Sequence, residues 1–151
     1  MLTETQLAIR DMVRNFAQEQ VKPRTFEFEL ENGFPQELFE QMAGLGLWGM
    51  TAPEEFGGAG VDTVSYALSL MEIAAADGAL STIVSIQNSI IVNGLLKDGT
   101  DAQKARFLPD LIGGRMIGAF ALTEADAGSD ASAIRTRATK VDGGWKLSGS
   151  K

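Results

Sequence analysis

Neither cysteine nor histidine occurs anywhere in this 151-residue sequence. That double absence removes thiol nucleophiles, disulfides, haem attachment, zinc sites of the Cys/His type and His-based triads in one step. An all-carboxylate metal site stays compatible with the composition, although no EF-hand spacing is present. Cations are also in short supply: 13 Lys and Arg face 20 Asp and Glu, a net charge of −7. The acidic residues are scattered rather than gathered in a tail. A surface of that sign repels phosphate backbones, so nucleic acid is not an expected partner. It favours no anionic ligand either, and any nucleotide has to be held locally, by backbone amides and hydroxyls. No apolar run is read as long enough to span a membrane. The start, MLTETQLAIRD, shows neither a basic-then-apolar signal nor an Arg- and Ser-rich transit peptide. The expectation is a soluble protein of the bacterial cytoplasm, or a mitochondrial matrix protein without its presequence.

What is present is globular in character, with 44% hydrophobic and 22% charged residues. The length suits one ordinary domain, which buries roughly 70% of the surface its unfolded chain exposes. There is no internal repeat and no low-complexity segment.

Most of the chain reads as helix. Thr3 and Gln6 form a capping box, with Leu2 and Leu7 at the staple positions. Ile9, Met12, Val13, Phe16 and Ala17 recur at helical spacing, and Pro23 is placed just past the end. A second helix is predicted over Pro35–Ala43, with Pro35 in its first turn and Gly44 as a left-handed cap. The glycine-rich stretch from Gly46 to Gly60 must fold back on itself. A third helix begins near Asp62 and carries Val64, Ala67, Leu68, Met71 and Ala75, until Asp77 and Gly78 break it. The fourth, about Leu80 to Leu96, is nearly apolar all round, as befits the middle of a bundle. Thr100 and Gln103 form a second capping box for a last helix ending around Leu111.

After Gly113-Gly114 the period changes. Ile117–Thr123 suits a buried strand, Ile134–Lys140 alternates, Asp142-Gly143-Gly144 is a turn and Trp145–Leu147 starts a returning strand. A change from helical to strand period marks a domain boundary near residue 115. Two or three strands are marginal alone and leave an open edge, so the sequence is expected to stop inside a β domain.

The stretch with chemistry in it is Phe120–Ala133, FALTEADAGSDASA. A strand delivers Thr123 and Glu124 to its carboxyl end, and Ala127, Gly128, Ser129 and Asp130 follow. Such a bend lets backbone N–H groups approach and converge on an anionic group, while Thr123 and Ser129 add hydroxyl donors. That suits a flavin or phosphate cradle. Composition alone favours a solvated connection between strands, since most Gly/Ser/Asp clusters are turns.

The order Ala121-Leu122-Thr123-Glu124, two residues, Ala127-Gly128-Ser129-Asp130, two residues, Ala133 resembles the amino-terminal signature of the acyl-CoA dehydrogenases at every defined position. The resemblance runs the whole length. GLWGMTAPEEFGGAG (46–60) is similar to a glycine-rich family segment, and Gln87-Asn88-Ser89 to the helical turn that faces the acyl chain. KARFLPDLIGG (104–114) is similar to the link between α and β domains, and WKLSGSK (145–151) to the strands before the family's second flavin-contacting segment. The implied fold is mainly α: an amino-terminal helical bundle over 1–115, then over 116–151 the first strands of a β-barrel-like middle domain.

The implied activity is oxidation of an acyl-CoA thioester to the 2,3-enoyl-CoA. A carboxylate removes the α-proton, and the β-hydrogen leaves as hydride to FAD. Electrons would pass on to an electron-transfer flavoprotein, and relatives of this kind are usually homotetramers. Position by position, Phe120, Leu122 and Thr123 would line the flavin, and Gly128 and Ser129 would lie along the FAD and CoA approach. Ser129 would also contact substrate. Phe120 departs from the Tyr often found there, losing a hydroxyl. Ile83, Ile86 and Gln87 would border the acyl pocket, against the alternative that they only pack a buried helix. The family's catalytic Glu and its Trp-Ile-Thr run have no counterpart here. Glu124 is read as structural, and the 151 residues alone are expected not to turn over substrate. Rival readings are an acyl-CoA oxidase, nitroalkane oxidase or flavin monooxygenase of the same fold, and a non-catalytic helical interaction module.

Overall fold

The structure, a computed structural model, describes residues 1–30 and 33–151. It divides into two compact units, Met1–Ala119 and Phe120–Lys151.

The first unit is helical. Helix α1 (Glu4–Phe16) starts at the expected capping box: Thr3 accepts from the Gln6 amide, and Gln6 answers on the Thr3 N–H. The helix does not stop before Pro23. It widens into a π-helical turn over Ala17–Val21, tightens into a 3₁₀ turn over Lys22–Arg24, and resumes as α2 (Thr25–Leu30). Pro23 lies in the first turn of the 3₁₀ segment, and the helical path continues through it into α2.

Helix α3 runs Gln36–Gly44 with Pro35 as its N-cap. Gly44 is still helical, and the left-handed residue falls two positions later, at Gly46 (φ 72°). There the Gly46 and Leu47 N–H groups return to the Ala43 and Met42 carbonyls. The glycine-rich segment folds back as expected, since the N–H groups of Ala59, Gly60 and Val61 bond to the carbonyls of Gly49, Ala52 and Met50.

Asp62 caps α4 (Thr63–Ala74) by accepting from the Val64 and Ser65 amides. The buried face of α4 is Ser65, Ser69 and Ile73, while Val64 and Met71 are exposed. Helix α4 packs against α1 and α5, and the apolar stripe read from sequence is not its buried face.

Asp77 caps α5 (Gly78–Ile86), a π-helical stretch follows over Gln87–Val92, and α6 (Asn93–Asp98) completes one continuous helix. At 21 residues, Gly78–Asp98 is long and apolar enough by length and composition to cross a membrane, which corrects the sequence reading. Its scattered Ser, Gln and Asn had hidden the length; core helices of bundles pass the same test. Helix α7 (Asp101–Ile112) opens at the second capping box, Thr100 with Gln103.

Two apolar clusters hold this unit. The larger gathers α1, α3, α4 and α5 around fully buried Leu38, Met42, Leu47, Trp48 and Leu80. Phe28, Phe34, Phe39 and Trp48 stack through it at centroid separations of 5.1, 6.3 and 5.2 Å. The smaller packs Val92 and Ala52 on Leu108, Leu111 and Ile112 of α7.

The second unit is small. Strands β1 (Arg137–Val141) and β2 (Gly144–Ser148) form an antiparallel hairpin, closed by the two-residue turn Asp142-Gly143 with Gly143 at φ 77°. Both strands are exposed along their whole length. Ile117–Thr123 was expected to be a buried strand and is not one: it is unladdered, with Ile117, Phe120 and Leu122 exposed. A strand needs a neighbour for its N–H and C=O groups, and among the described residues this segment has none.

Candidate functional site

The candidate residues fall in both units. In the first, Ile83 and Ile86 lie half-buried on α5, and Ile83 packs on the larger cluster. Gln87 is fully buried. Its Nε2 donates to the carbonyls of Leu111 (2.9 Å) and Met116 (3.0 Å), and its Oε1 accepts from the Gly118 N–H (2.9 Å). Both donors of the carboxamide are thus committed to backbone. Asn88 behaves alike: Nδ2 donates to the Leu47 and Val84 carbonyls, and Oδ1 accepts from the Met50 N–H. The two isoleucines offer apolar surface, whereas the polar atoms of Gln87 are spent on the fold. A cavity of about 550 Å³ in the same unit, bordered by Thr25, Phe28, Phe34 and Asp77, contains none of the candidate residues.

In the second unit Phe120 (59% exposed) and Leu122 (37%) present apolar surface, and Thr123, Gly128 and Ser129 are exposed. Glu124 and Ala127 close the bend by exchanging backbone hydrogen bonds of 2.9 and 3.2 Å, with Ala127 buried beneath it. Among the described residues neither the Thr123 nor the Ser129 hydroxyl has a protein partner. A Cβ on Gly128 would meet nothing within 4 Å. Apolar side chains, free hydroxyls and open backbone in one bend fit a planar ring with polar edges.

Glu124 is the structural centre of this unit. Its carboxylate accepts from the Arg135 N–H (2.7 Å) and the Thr136 N–H (3.0 Å), and the Lys151 ammonium lies 3.0 Å away. The Thr136 hydroxyl beside it, short of full hydrogen-bond geometry, the Arg135 amide and Lys151 together hold the carboxyl down at about 2. Lys151 also donates to the Leu122 carbonyl at 2.8 Å. The candidate bend is thereby tied to the residues before β1 and after β2. This network escaped the sequence reading, because partners up to 29 positions apart leave no local pattern. Among the described residues no cluster of three or more potential metal ligands occurs.

Residues 3–115 match the family described as acyl-CoA dehydrogenase, N-terminal domain. An acyl-CoA dehydrogenase of Bacillus subtilis (strain 168) is 41% identical over 150 residues, covering 99% of this chain and 40% of the relative. A solved glutaryl-CoA dehydrogenase from Mycobacterium smegmatis matches with TM-score 0.92 and 37% identity, over 99% of this chain and 38% of that one. A glutaryl-CoA dehydrogenase of the same organism in complex with FADH2 matches with TM-score 0.92 and 35% identity, over 98% and 38%. The chain spans about 40% of the length of the curated relative. Its fold is that of an amino-terminal helical domain running into the first strands of a β domain. The chain belongs to the acyl-CoA dehydrogenase family.

Proposed function

We propose that this chain is the amino-terminal part of an FAD-dependent acyl-CoA dehydrogenase, with residues 1–115 as the helical domain and 116–151 opening the middle β domain. The reaction is oxidation of an acyl-CoA thioester to the 2,3-enoyl-CoA. Bound FAD supplies the acceptor for the hydride that leaves the β-carbon. This chain's share is placement. Phe120 and Leu122 cover the ring and exclude water, and the hydroxyl and backbone of Thr123 serve its pyrimidine edge. Gly128 leaves room along the FAD and CoA approach, where Ser129 gives its hydroxyl to cofactor or substrate. Ile83 and Ile86 border the acyl chain; Gln87 follows them on the same helix with its amide occupied.

The base that takes the α-proton lies outside these residues. Glu124, held near 2 by its donors, is too weak a base for that step. The acceptor proposed for the reduced protein is an electron-transfer flavoprotein. The assembly is a homotetramer, and the compartment is the bacterial cytoplasm or, for a mature mitochondrial protein, the matrix.

The observation that carries this reading is a side-chain-poor bend in which the Thr123 and Ser129 hydroxyls have no partner among the described residues, with Phe120 and Leu122 exposed beside them. The test is the pair Thr123→Ala and Ser129→Ala in the complete protein. Flavin retention weakens or the flavin spectrum shifts. Unchanged FAD content, spectrum and reduction by acyl-CoA would remove these residues from the site.

A further inference from the structure

The Leu122–Thr123 peptide is the point where the charged network of the second unit meets the proposed cofactor-facing bend. A trans peptide is planar, with its C=O and N–H pointing in opposite directions. Fixing the carbonyl therefore fixes the N–H. The Leu122 carbonyl takes a hydrogen bond from the Lys151 ammonium at 2.8 Å, and among the described residues the Thr123 N–H has no protein partner. Lys151 is itself held by Glu124 at 3.0 Å, and Glu124 by the Arg135 and Thr136 amides at 2.7 and 3.0 Å. The Glu124 side chain is 9% exposed and that of Lys151 27%, so the pair is not a freely hydrated surface contact.

We propose that Lys151 is a positioning residue for the flavin: through the Leu122 carbonyl it aims the Thr123 N–H at the pyrimidine edge of the ring, with Glu124 as its anchor. The ammonium does two things. It sets the plane of the peptide, and its charge polarises that peptide so that the opposite N–H becomes a stronger donor. Lys151 touches neither flavin nor substrate in this arrangement. The inference rests on the assignment of Thr123 to the flavin made above.

The test uses the complete protein with Lys151→Met, which keeps length and apolar stem but removes the charge. An N–H donor at the pyrimidine edge stabilises the negative charge that reduced flavin gathers there. The expected result is a shifted flavin absorption band, a reduction potential moved to more negative values and FAD binding weakened about tenfold, the scale of one lost charge-assisted hydrogen bond. Lys151→Arg, which can still donate to both partners, restores most of the potential. A lower Tm with spectrum, potential and FAD affinity unchanged would reduce Lys151 to a structural role and overturn the proposal. Should Lys151→Met fail to fold, Glu124→Gln is read instead: a smaller shift in the same direction supports the anchor role, and no shift overturns it. Wild-type protein without flavin defeats the assignment of the bend itself. A yellow wild type with an unaltered Lys151→Met spectrum defeats only this inference.

Discussion

The N–H of Met50 donates to Asn88 Oδ1 at 2.7 Å, both groups buried, and so ties the glycine-rich segment to the π-helical stretch of the long helix. The other end of the same amide holds the Leu47 and Val84 carbonyls. Asn88→Asp keeps the acceptor and turns the second oxygen against two carbonyls. A loss of about 2–4 kcal/mol is expected at neutral pH from unmatched buried polar groups. Chemical denaturation followed by circular dichroism checks it. Part of the loss returns on acidification, when the new carboxyl can donate. A neutral substitution would show that this clasp does not hold the loop.

Glycines in this segment and in the helix before it separate into those that are needed and those that are not. A Cβ on Gly58 would lie 2.1 Å from the Ala52 carbonyl oxygen, a backbone atom that cannot yield. Gly58→Ala is expected to destabilise by about 2–3 kcal/mol, in the upper range for overpacking. At Gly44 a Cβ meets nothing within 4 Å and the residue is helical. Gly44→Ala should stabilise by about 0.4–1 kcal/mol. Thermal unfolding of the two variants measures the contrast.

Trp48 is fully buried at the end of the aromatic series and donates its indole N–H to the Phe39 carbonyl at 2.9 Å. Trp48→Ala should cost about 3–5 kcal/mol, the usual range for emptying such a site. Trp48→Phe should cost less, leaving chiefly the Phe39 carbonyl unsatisfied. Denaturation midpoints of the two give the ordering, and a larger loss for Phe than for Ala would contradict it.

Glu124 should make the second unit sensitive to acid. Its carboxyl is lowered from 4.5 to about 2, so the folded state favours the ionised form. The stabilisation is full above the unfolded value, declines as pH falls from there, and is gone below about 2. The advantage of wild type over Glu124→Gln should therefore be constant at neutral pH and shrink across that acid window. Unfolding at a series of pH values follows the difference; an advantage that grew on acidification would contradict the assignment.

The helical unit was readable because its signals are local. Capping boxes at Thr3/Gln6 and Thr100/Gln103 and the cap at Asp62 are satisfied within a few residues, so sequence alone placed those helix starts, whereas Asp77, read only as a helix break, also caps α5 and starts it two residues before Leu80. Pro23 misled, because a proline that opens a 3₁₀ turn looks in sequence like one that follows a helix. On α4 the stripe chosen by hydropathy missed the buried serines, because they are polar. The strand expected at Ile117–Thr123 depends on partners that a local pattern cannot supply. At the candidate site the order of residues in Phe120–Ala133 was legible. The Lys151, Glu124 and Leu122 network was not, being assembled from distant positions.

The most direct test is an anaerobic titration of the complete protein with an acyl-CoA. The flavin absorption band should bleach on adding the thioester and return only slowly in air. A colourless complete protein to which FAD does not bind would contradict the proposed function, and rapid return of the band in air would assign the chain to an oxidase of the same fold instead.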